Sequence, residues 1–204
     1  MSFPIAVLAG GRSKRMGGRD KCLLPLGDST VLARIIATMA PQTHRLMINS
    51  NGDSALFAST GLPVRGDTLP GRMGPLAGIL TAMRWAAEDG DARVVTVAGD
   101  MPFLPADLIC GLTVCHRPGH SGAVVAASRG DLHPTVGLWP VELAENLERD
   151  LLSGMRRLQD WLKTIPFEIA NFDCADLQAF ENVNTPDQWQ RAVIREAKFS
   201  LSIP

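Results

Sequence analysis

Four glycines (Gly10, Gly11, Gly17, Gly18) and five cations (Arg12, Lys14, Arg15, Arg19, Lys21) crowd into LAGGRSKRMGGRDK, residues 8–21. Glycine lets backbone N–H groups approach an anion closely and reach positive φ. Arg and Lys neutralise what arrives. The chemistry open to this stretch is the cradling of a phosphate; without it, the stretch is a solvated basic loop. Further on, polar residues stand where apolar runs stop: Asn49 after Leu46-Met47-Ile48, Asp67 after Pro63-Val64, and Asp100 after the run at 94–98. A carboxylate at the mouth of a buried strand is well placed to hold Mg²⁺. The alternative for Asp100 is the start of a turn before Pro102. The Asn49 amide suits a base or a ribose, or equally a turn.

Several familiar designs are absent. The P-loop needs Gly-Lys-Ser/Thr four residues after a glycine, and the dinucleotide fingerprint needs Gly-x-Gly-x-x-Gly. Neither occurs in residues 8–21. No Ser/His/Asp or Cys/His constellation is evident. Cys110, Cys115, His116 and His120 are zinc-ligand types, but their spacing matches no standard site and Pro118-Gly119 interrupts them, so an ordinary loop is expected. The pair Arg156-Arg157 either meets an anionic substrate or lines a wet helix face, the second being favoured.

The elements that must position these residues alternate between strand and helix. An apolar run at 5–8 reads as a buried strand. Ser29 or Thr30 caps a helix carrying Val31, Leu32, Ile35, Ile36 and Met39 at helical spacing, ended by Pro41. A strand at 46–48, a short helical piece at 54–59 and a Gly/Pro loop at 68–74 follow. Pro75 opens a helix to about residue 88. Gly78 inside it costs roughly 1 kcal/mol relative to Ala, which points to close packing or close approach of a ligand. The run at 93–98 is the clearest central strand. Then come a helix at 105–112, strands at 123–128 and 135–139, helices at 141–152 and 155–162, and a strand at 166–170. A last helix at 187–198 has Thr185 as its cap and Pro186 in first position. This alternation implies an α/β fold: a Rossmann-like, mostly parallel sheet with helices on both faces. Ligands of such sheets bind at the carboxyl edge, where residues 8–21, Asn49, Asp67 and Asp100 would converge.

The chain of 204 residues fits one domain. It is 46% hydrophobic and 20% charged with a formal net charge of −1, which suits a real core and disfavours nucleic acid or an anionic membrane as partner. No stretch approaches the roughly 20 apolar residues that span a bilayer, and the first strand starts too early for a signal peptide. A cytoplasmic location, with Cys22, Cys110, Cys115 and Cys174 reduced and structural, is expected.

The string LAGG-x₃-RMGG-x-DK resembles the signature of molybdenum cofactor guanylyltransferases, nucleotidyltransferases of the nucleotide-diphospho-sugar transferase type. Gly74-Pro75-Leu76-Ala77-Gly78-Ile79, Asp100-Met101-Pro102, His133-Pro134 and Phe180-x-Asn182-Val183-Asn184-Thr185-Pro186 resemble further motifs of that family, so the likeness covers residues 8–186. Related enzymes that put cytidylate on the same cofactor more often carry Ala at the place of Gly10, which favours guanine here. The resemblance implies one nucleotidyltransferase domain over residues 1–204, with nucleotide binding in about 1–105 and acceptor binding in about 106–204. It implies transfer of GMP from GTP to the phosphate of molybdenum-bearing molybdopterin, with release of pyrophosphate. The glycine-loop amides (Gly11 among them), Arg15 and Lys21 would hold the triphosphate. The backbone around Leu8, Ala9 and Gly10, with Asn49 and Asp67, would hold the nucleoside. Asp100 would hold Mg²⁺, and catalysis would fall to Arg15, Lys21 and Asp100. His133, Asn182 and Asn184 would serve the acceptor. The resemblance also allows transient contact with proteins that deliver or accept the cofactor. Two other readings stay open: cytidylyl transfer to the same cofactor or nucleotidyl transfer to a sugar phosphate, and a nucleotide-binding assembly factor without turnover.

Overall fold

The computed structural model describes residues 2–10, 20–71, 73–115, 121–172 and 179–200. Its centre is a seven-stranded sheet. In chain order the strands are β1 (Ile5–Leu8), β4 (Leu46–Asn49), β5 (Val64–Arg65), β6 (Arg93–Ala98), β7 (Ala123–Ser128), β8 (Asp131–Pro140) and β9 (Phe167–Asn171); a small hairpin of β2 (Pro25–Leu26) and β3 (Ser29–Thr30) stands apart. The helices are α1 (Val31–Met39), α2 (Pro75–Glu88), α3 (Leu108–Val114), α4 (Ala144–Leu152), α5 (Leu158–Leu162) and α6 (Pro186–Ser200).

The spatial order is β5-β4-β1-β6-β8-β7-β9. β1 pairs in parallel with β4 and β6, as do β4 with β5 and β7 with β9. β8 runs antiparallel to both its neighbours, so the sheet is mixed but mostly parallel. Alternation along each strand splits the core in two. Ile5, Val7, Ile48, Val95, Val97 and Val124 pack against α1, α3 and α6 on one face. Ala6, Met47, Val94 and Val125 pack against α2, α4 and α5 on the other. Helices therefore cover both faces, as expected.

The chain leaves β1 toward β4 and β5 on one side, then returns through α2 to β6 on the other. The order of strands thus reverses between β1 and β6, and at such a switch point the loops leaving the two strands part and open a crevice. Ala9 and Gly99 flank it, just past the last bond between the two strands, from Gly99 N–H to the Leu8 carbonyl (3.0 Å).

Some elements differ from expectation. α3 begins at Leu108, not 105. α5 spans only Leu158–Leu162, because Gly154 at φ 102° ends α4 and the chain needs three further residues to turn. β8 starts at Asp131, so His133-Pro134 lies inside the strand. Proline fits there because the β7–β8 register slips between Val125 and Ala126, leaving 134–136 as a bulge. No helix among the described residues is long and apolar enough to cross a membrane.

Candidate active site

A cavity of about 470 Å³ opens at the switch point. It gathers Leu8 at the end of β1 with Ala9 and Gly10 beyond it, Asn49 at the end of β4, Asp67 beyond β5, Gly78 on α2, Asp100 after β6, and Lys21. Of the residues singled out from the sequence, Gly11 and Arg15 lie outside the described residues. Asn182 also lines the cavity, from the far end of the chain.

The nucleoside-side expectation centred on Asn49, and the geometry gives that residue a positioning task. Its side chain is 3% exposed. Nδ2 donates to the Arg65 carbonyl and to Asp67 Oδ1, both at 3.1 Å, so both amide hydrogens are spent on the protein. Gly78 explains the fit: a Cβ there would lie 2.5 Å from Asn49 Oδ1 and 3.0 Å from Leu8 Cδ2. The glycine in α2 thus serves close packing of a neighbouring amide, one of the two expectations for it. Asp67 is held a second time by Asn51, whose Nδ2 donates to Oδ2 (2.6 Å) and whose Oδ1 accepts from the Asp67 N–H (2.7 Å).

The other end of the cavity is charged. Asp100 Oδ2 lies 3.9 Å from Lys21 Nζ. Burial pushes the Asp100 carboxyl above its ordinary value, against the pull of Lys21 and of a backbone hydrogen bond. Lys21 Nζ also donates to Asn184 Oδ1, across 163 residues of sequence. Beside it, Cys22 is inert: burial, then the Asp20 and Asp100 carboxylates, push its thiol up to about 12.

The C-terminal motif is tied to this end by backbone and cap. Val183 N–H donates to the Asp100 carbonyl (2.8 Å). Gln188 Oε1 accepts from the N–H groups of Asn184 (2.9 Å) and Thr185 (3.0 Å), and Thr185 Oγ1 accepts from the Gln188 N–H (3.3 Å). This reciprocal cap fixes the entry to α6, and Trp189 Nε1 pins the helix to the Pro25 carbonyl (2.8 Å). Asn182 Oδ1 is buried with no hydrogen-bond partner among the described residues.

His133 sits behind the same segment. Its ring stacks on Phe180 (centroids 4.5 Å apart, planes 7° apart) and its Nε2 is 2.7 Å from Ser128 Oγ. Burial pushes its pKa below the ordinary 6.5, against Asp131. Thr135, in the bulge just beyond, lines the cavity. The buried Thr96 hydroxyl holds that bulge, donating to the Thr135 carbonyl (2.9 Å) and accepting from Trp139 Nε1 (2.8 Å).

Three expectations come out differently or fall away. Arg156 lies in a loop and its Nη1 donates to the carbonyls of Leu151 and Met155, capping α4 rather than lining a helix face. Arg157 is the exposed residue preceding α5. His116, His120 and Cys174 lie outside the described residues. Cys22, Cys110 and Cys115 are free thiols, Cys110 exposed rather than structural. The described residues contain no cluster of three metal-ligating side chains. Sequence reasoning missed Asn51 and Thr135. Pro134 inside a β-rich run was the available signal for the bulge that carries Thr135; nothing local marked Asn51 as more than a turn residue.

Comparison with known proteins fits this geometry. Residues 5–169 match the MobA-like NTP transferase domain. A molybdenum cofactor guanylyltransferase of Mesorhizobium japonicum is 44% identical over 191 residues, spanning 91% of this chain and 92% of that protein. Another, of a Bradyrhizobium species, is 40% identical over 194 residues, spanning 94% and 92%. Among solved structures, molybdopterin-guanine dinucleotide biosynthesis protein A of Archaeoglobus fulgidus superposes with a TM-score of 0.78 at 23% identity, covering 96% of this chain and 100% of that one. A CMP-2-keto-3-deoxy-manno-octonic acid synthetase complexed with CTP shares the fold at TM-score 0.76 and 10% identity, covering 98% and 100%. The family match spans most of the chain and the curated relatives match it nearly end to end, so this chain is a nucleotidyltransferase of the MobA-like family and belongs to the molybdenum cofactor guanylyltransferases.

Proposed function

We propose that the protein transfers GMP from GTP to the terminal phosphate of molybdenum-bearing molybdopterin and releases pyrophosphate. One observation carries the reading: a single cavity joins a hydrogen-bonded corner built from Asn49, Asn51 and Asp67 to a charged corner lined by Lys21, Asp100 and Asn182, with Asn184 holding Lys21. The first corner takes the nucleoside, with the backbone at Leu8–Gly10 alongside. Lys21, with Arg15 and the glycine-loop amides at Gly11, takes the triphosphate. Asn182 and Asn184 face the acceptor. On this reading elements up to about residue 105 bind nucleotide and the remainder binds acceptor.

The transfer forms a bond between an acceptor phosphate oxygen and the α-phosphorus of GTP and breaks the bond from that phosphorus to the pyrophosphate oxygen. The attacking phosphate is already ionised at neutral pH, so no general base is required. Catalysis is then alignment plus neutralisation of charge gathering on the departing pyrophosphate. Lys21 supplies a cation for that charge, and Asn184 anchors its ammonium until substrate arrives.

The residues fit Mg²⁺. That ion needs only one or two protein carboxylates, with phosphates and water completing its shell. Asp100 is a mostly buried carboxylate whose one nearby cation, among the described residues, is 3.9 Å away. Asn182 Oδ1 is a further hard oxygen, without a donor among the described residues. When bound, the ion would neutralise the triphosphate and polarise its α-phosphate.

The test is thermal. GTP with Mg²⁺ should raise the melting temperature more than ATP, CTP or UTP at equal concentration. A larger shift with CTP would replace guanine by cytosine. Radiolabel transfer from α-labelled GTP to the metallated pterin separates turnover from binding without turnover.

A further inference from the structure

Asn51 lies outside any strand or helix and its side chain is exposed. A loop asparagine of this kind ordinarily bonds its own backbone two residues on. This one reaches sixteen residues along the chain instead, and it bonds Asp67 twice, as donor and as acceptor. Gly66 makes room for it, since a Cβ there would stand 3.3 Å from Asn51 Oδ1. Asn49 approaches the same carboxylate from the opposite side and holds its other oxygen. Each oxygen of Asp67 thus takes one amide hydrogen, which fixes the plane of the carboxylate. Each also keeps a lone pair. Both anchors are neutral, so the carboxylate charge is left for a ligand, and hydrogen bonds to a charged acceptor are the strong ones. Asp67, Asn49 and Asn51 all line the cavity.

We propose that Asn51 is a positioning residue for nucleotide recognition: with Asn49 it locks the Asp67 carboxylate so that both oxygens receive a pair of adjacent hydrogen-bond donors from the nucleoside. The inference deepens the guanylyl-transfer reading and rests on it. Two parts of GTP offer such a pair. One is the N1–H and N2–H edge of guanine; the other is the 2′,3′-diol of the ribose. Cytosine and adenine present an acceptor on the corresponding edge, which a fixed carboxylate repels.

The experiment is a double-mutant cycle on the full chain: wild type, Asn51→Ala, Asp67→Asn and the double variant. Each is titrated with GTP, ITP, 2′-deoxy-GTP and CTP, and assayed for KM and kcat. Asn51→Ala should raise the KM for GTP about tenfold, the worth of one oriented hydrogen bond to a charged group, with kcat within about twofold. In the Asp67→Asn background the same change should add nothing, because it acts through Asp67. If the Asn51→Ala penalty vanishes with ITP, the donors are those of the base; if it vanishes with deoxy-GTP, they are those of the ribose. Asn51→Asp removes the donor and adds a like charge beside Asp67, so it should lose more than Asn51→Ala; in the Asp67→Asn background the hydrogen bond is only reversed, so that loss should shrink, and this reads the coupling should the alanine variant melt early. Wild-type GTP affinity in Asn51→Ala, or equal penalties with and without the Asp67 carboxylate, overturns the proposal. Should CTP prove the tight ligand of the wild type, the guanine reading falls, and the cycle is read on CTP, where the coupling stands or falls on the same terms.

Discussion

The two corners of the cavity are built on opposite plans. In the corner proposed for the nucleoside the carboxylate is held on every side that the protein reaches: Asn49 and Asn51 together bond both oxygens and the backbone N–H of Asp67. In the charged corner Lys21 has partners in Asn184 and, more distantly, Asp100, but the oxygens are only partly satisfied. Asp100 carries a carboxyl that burial raises, and Asn182 Oδ1 is buried without a donor among the described residues. A satisfied polar network rigidifies, whereas a partly satisfied one costs free energy that a ligand recovers. On the proposed reading the first corner is pre-organised for recognition. The second is completed by what arrives, which is where a transferase gains by spending binding energy on the reacting phosphates.

The strongest way to break this contrast is Asp100→Asn. The substitution keeps shape and removes the charge. Mg²⁺-dependent GTP affinity should drop and transfer should fall by orders of magnitude. Folding should behave the other way. A carboxyl with a raised folded pKa contributes stability that is fully present below its ordinary 3.8 and lost as pH rises through the raised value. At neutral pH the ligand-free variant should therefore be at least as stable as wild type, and its melting temperature should depend less on pH above about 4. An unchanged metal-dependent increment in GTP affinity would show that Asp100 is a turn residue and that the second corner needs no ion.

Gly78→Ala probes the first corner. In an exposed helix the change would stabilise by about 1 kcal/mol. Here the added Cβ would meet Asn49 Oδ1 at 2.5 Å and Leu8 Cδ2 at 3.0 Å. Asn49 is tied by two hydrogen bonds and cannot swing aside without releasing Asp67. A net loss of about 1–3 kcal/mol is expected, together with weaker nucleotide binding, measured by denaturant unfolding and titration. A gain in stability would mean that Asn49 relaxes freely and that the corner is not rigid.

Legibility in the sequence divides along the same line. Apolar periodicity located β1, β6, β7 and α2 with their observed bounds, and β4 to within a residue. Such runs bury a face or a whole strand, which leaves a local trace. The glycine-rich stretch and the polar residues at or after the ends of β4, β5 and β6 pointed to one sheet edge because parallel α/β topology has few alternatives. What stayed hidden was either very short or long-range. The β2–β3 hairpin has two residues per strand, too few for a period to show. Lys21 and Asn184 meet across the whole chain, and Asn51 meets Asp67 between two loops. Pairs like these carry no signature in spacing. The bulge at Pro134 was misread as a strand boundary because proline seldom continues a strand without one.

The smallest effect concerns pH on the side proposed for the acceptor. Burial holds the His133 pKa below the ordinary 6.5, with Asp131 pulling weakly the other way. A histidine depressed on folding contributes stability present above 6.5 and lost as pH falls through its folded value. Protonation would put a charge on a ring stacked flat against Phe180, two residues before Asn182. The melting temperature of the wild type should fall by no more than a few degrees as pH drops below about 6.5, and His133→Gln, which cannot titrate there, should flatten that decline. The amides of Asn49 and Asn51 carry no titratable proton, so the two corners should part company: over the same range the KM for the pterin acceptor should rise while that for GTP holds steady. Parallel melting curves in wild type and His133→Gln would remove the histidine from this account. A GTP KM that climbs together with that of the acceptor would show that the corners are coupled, and that the rigid one depends on the segment behind Phe180 after all.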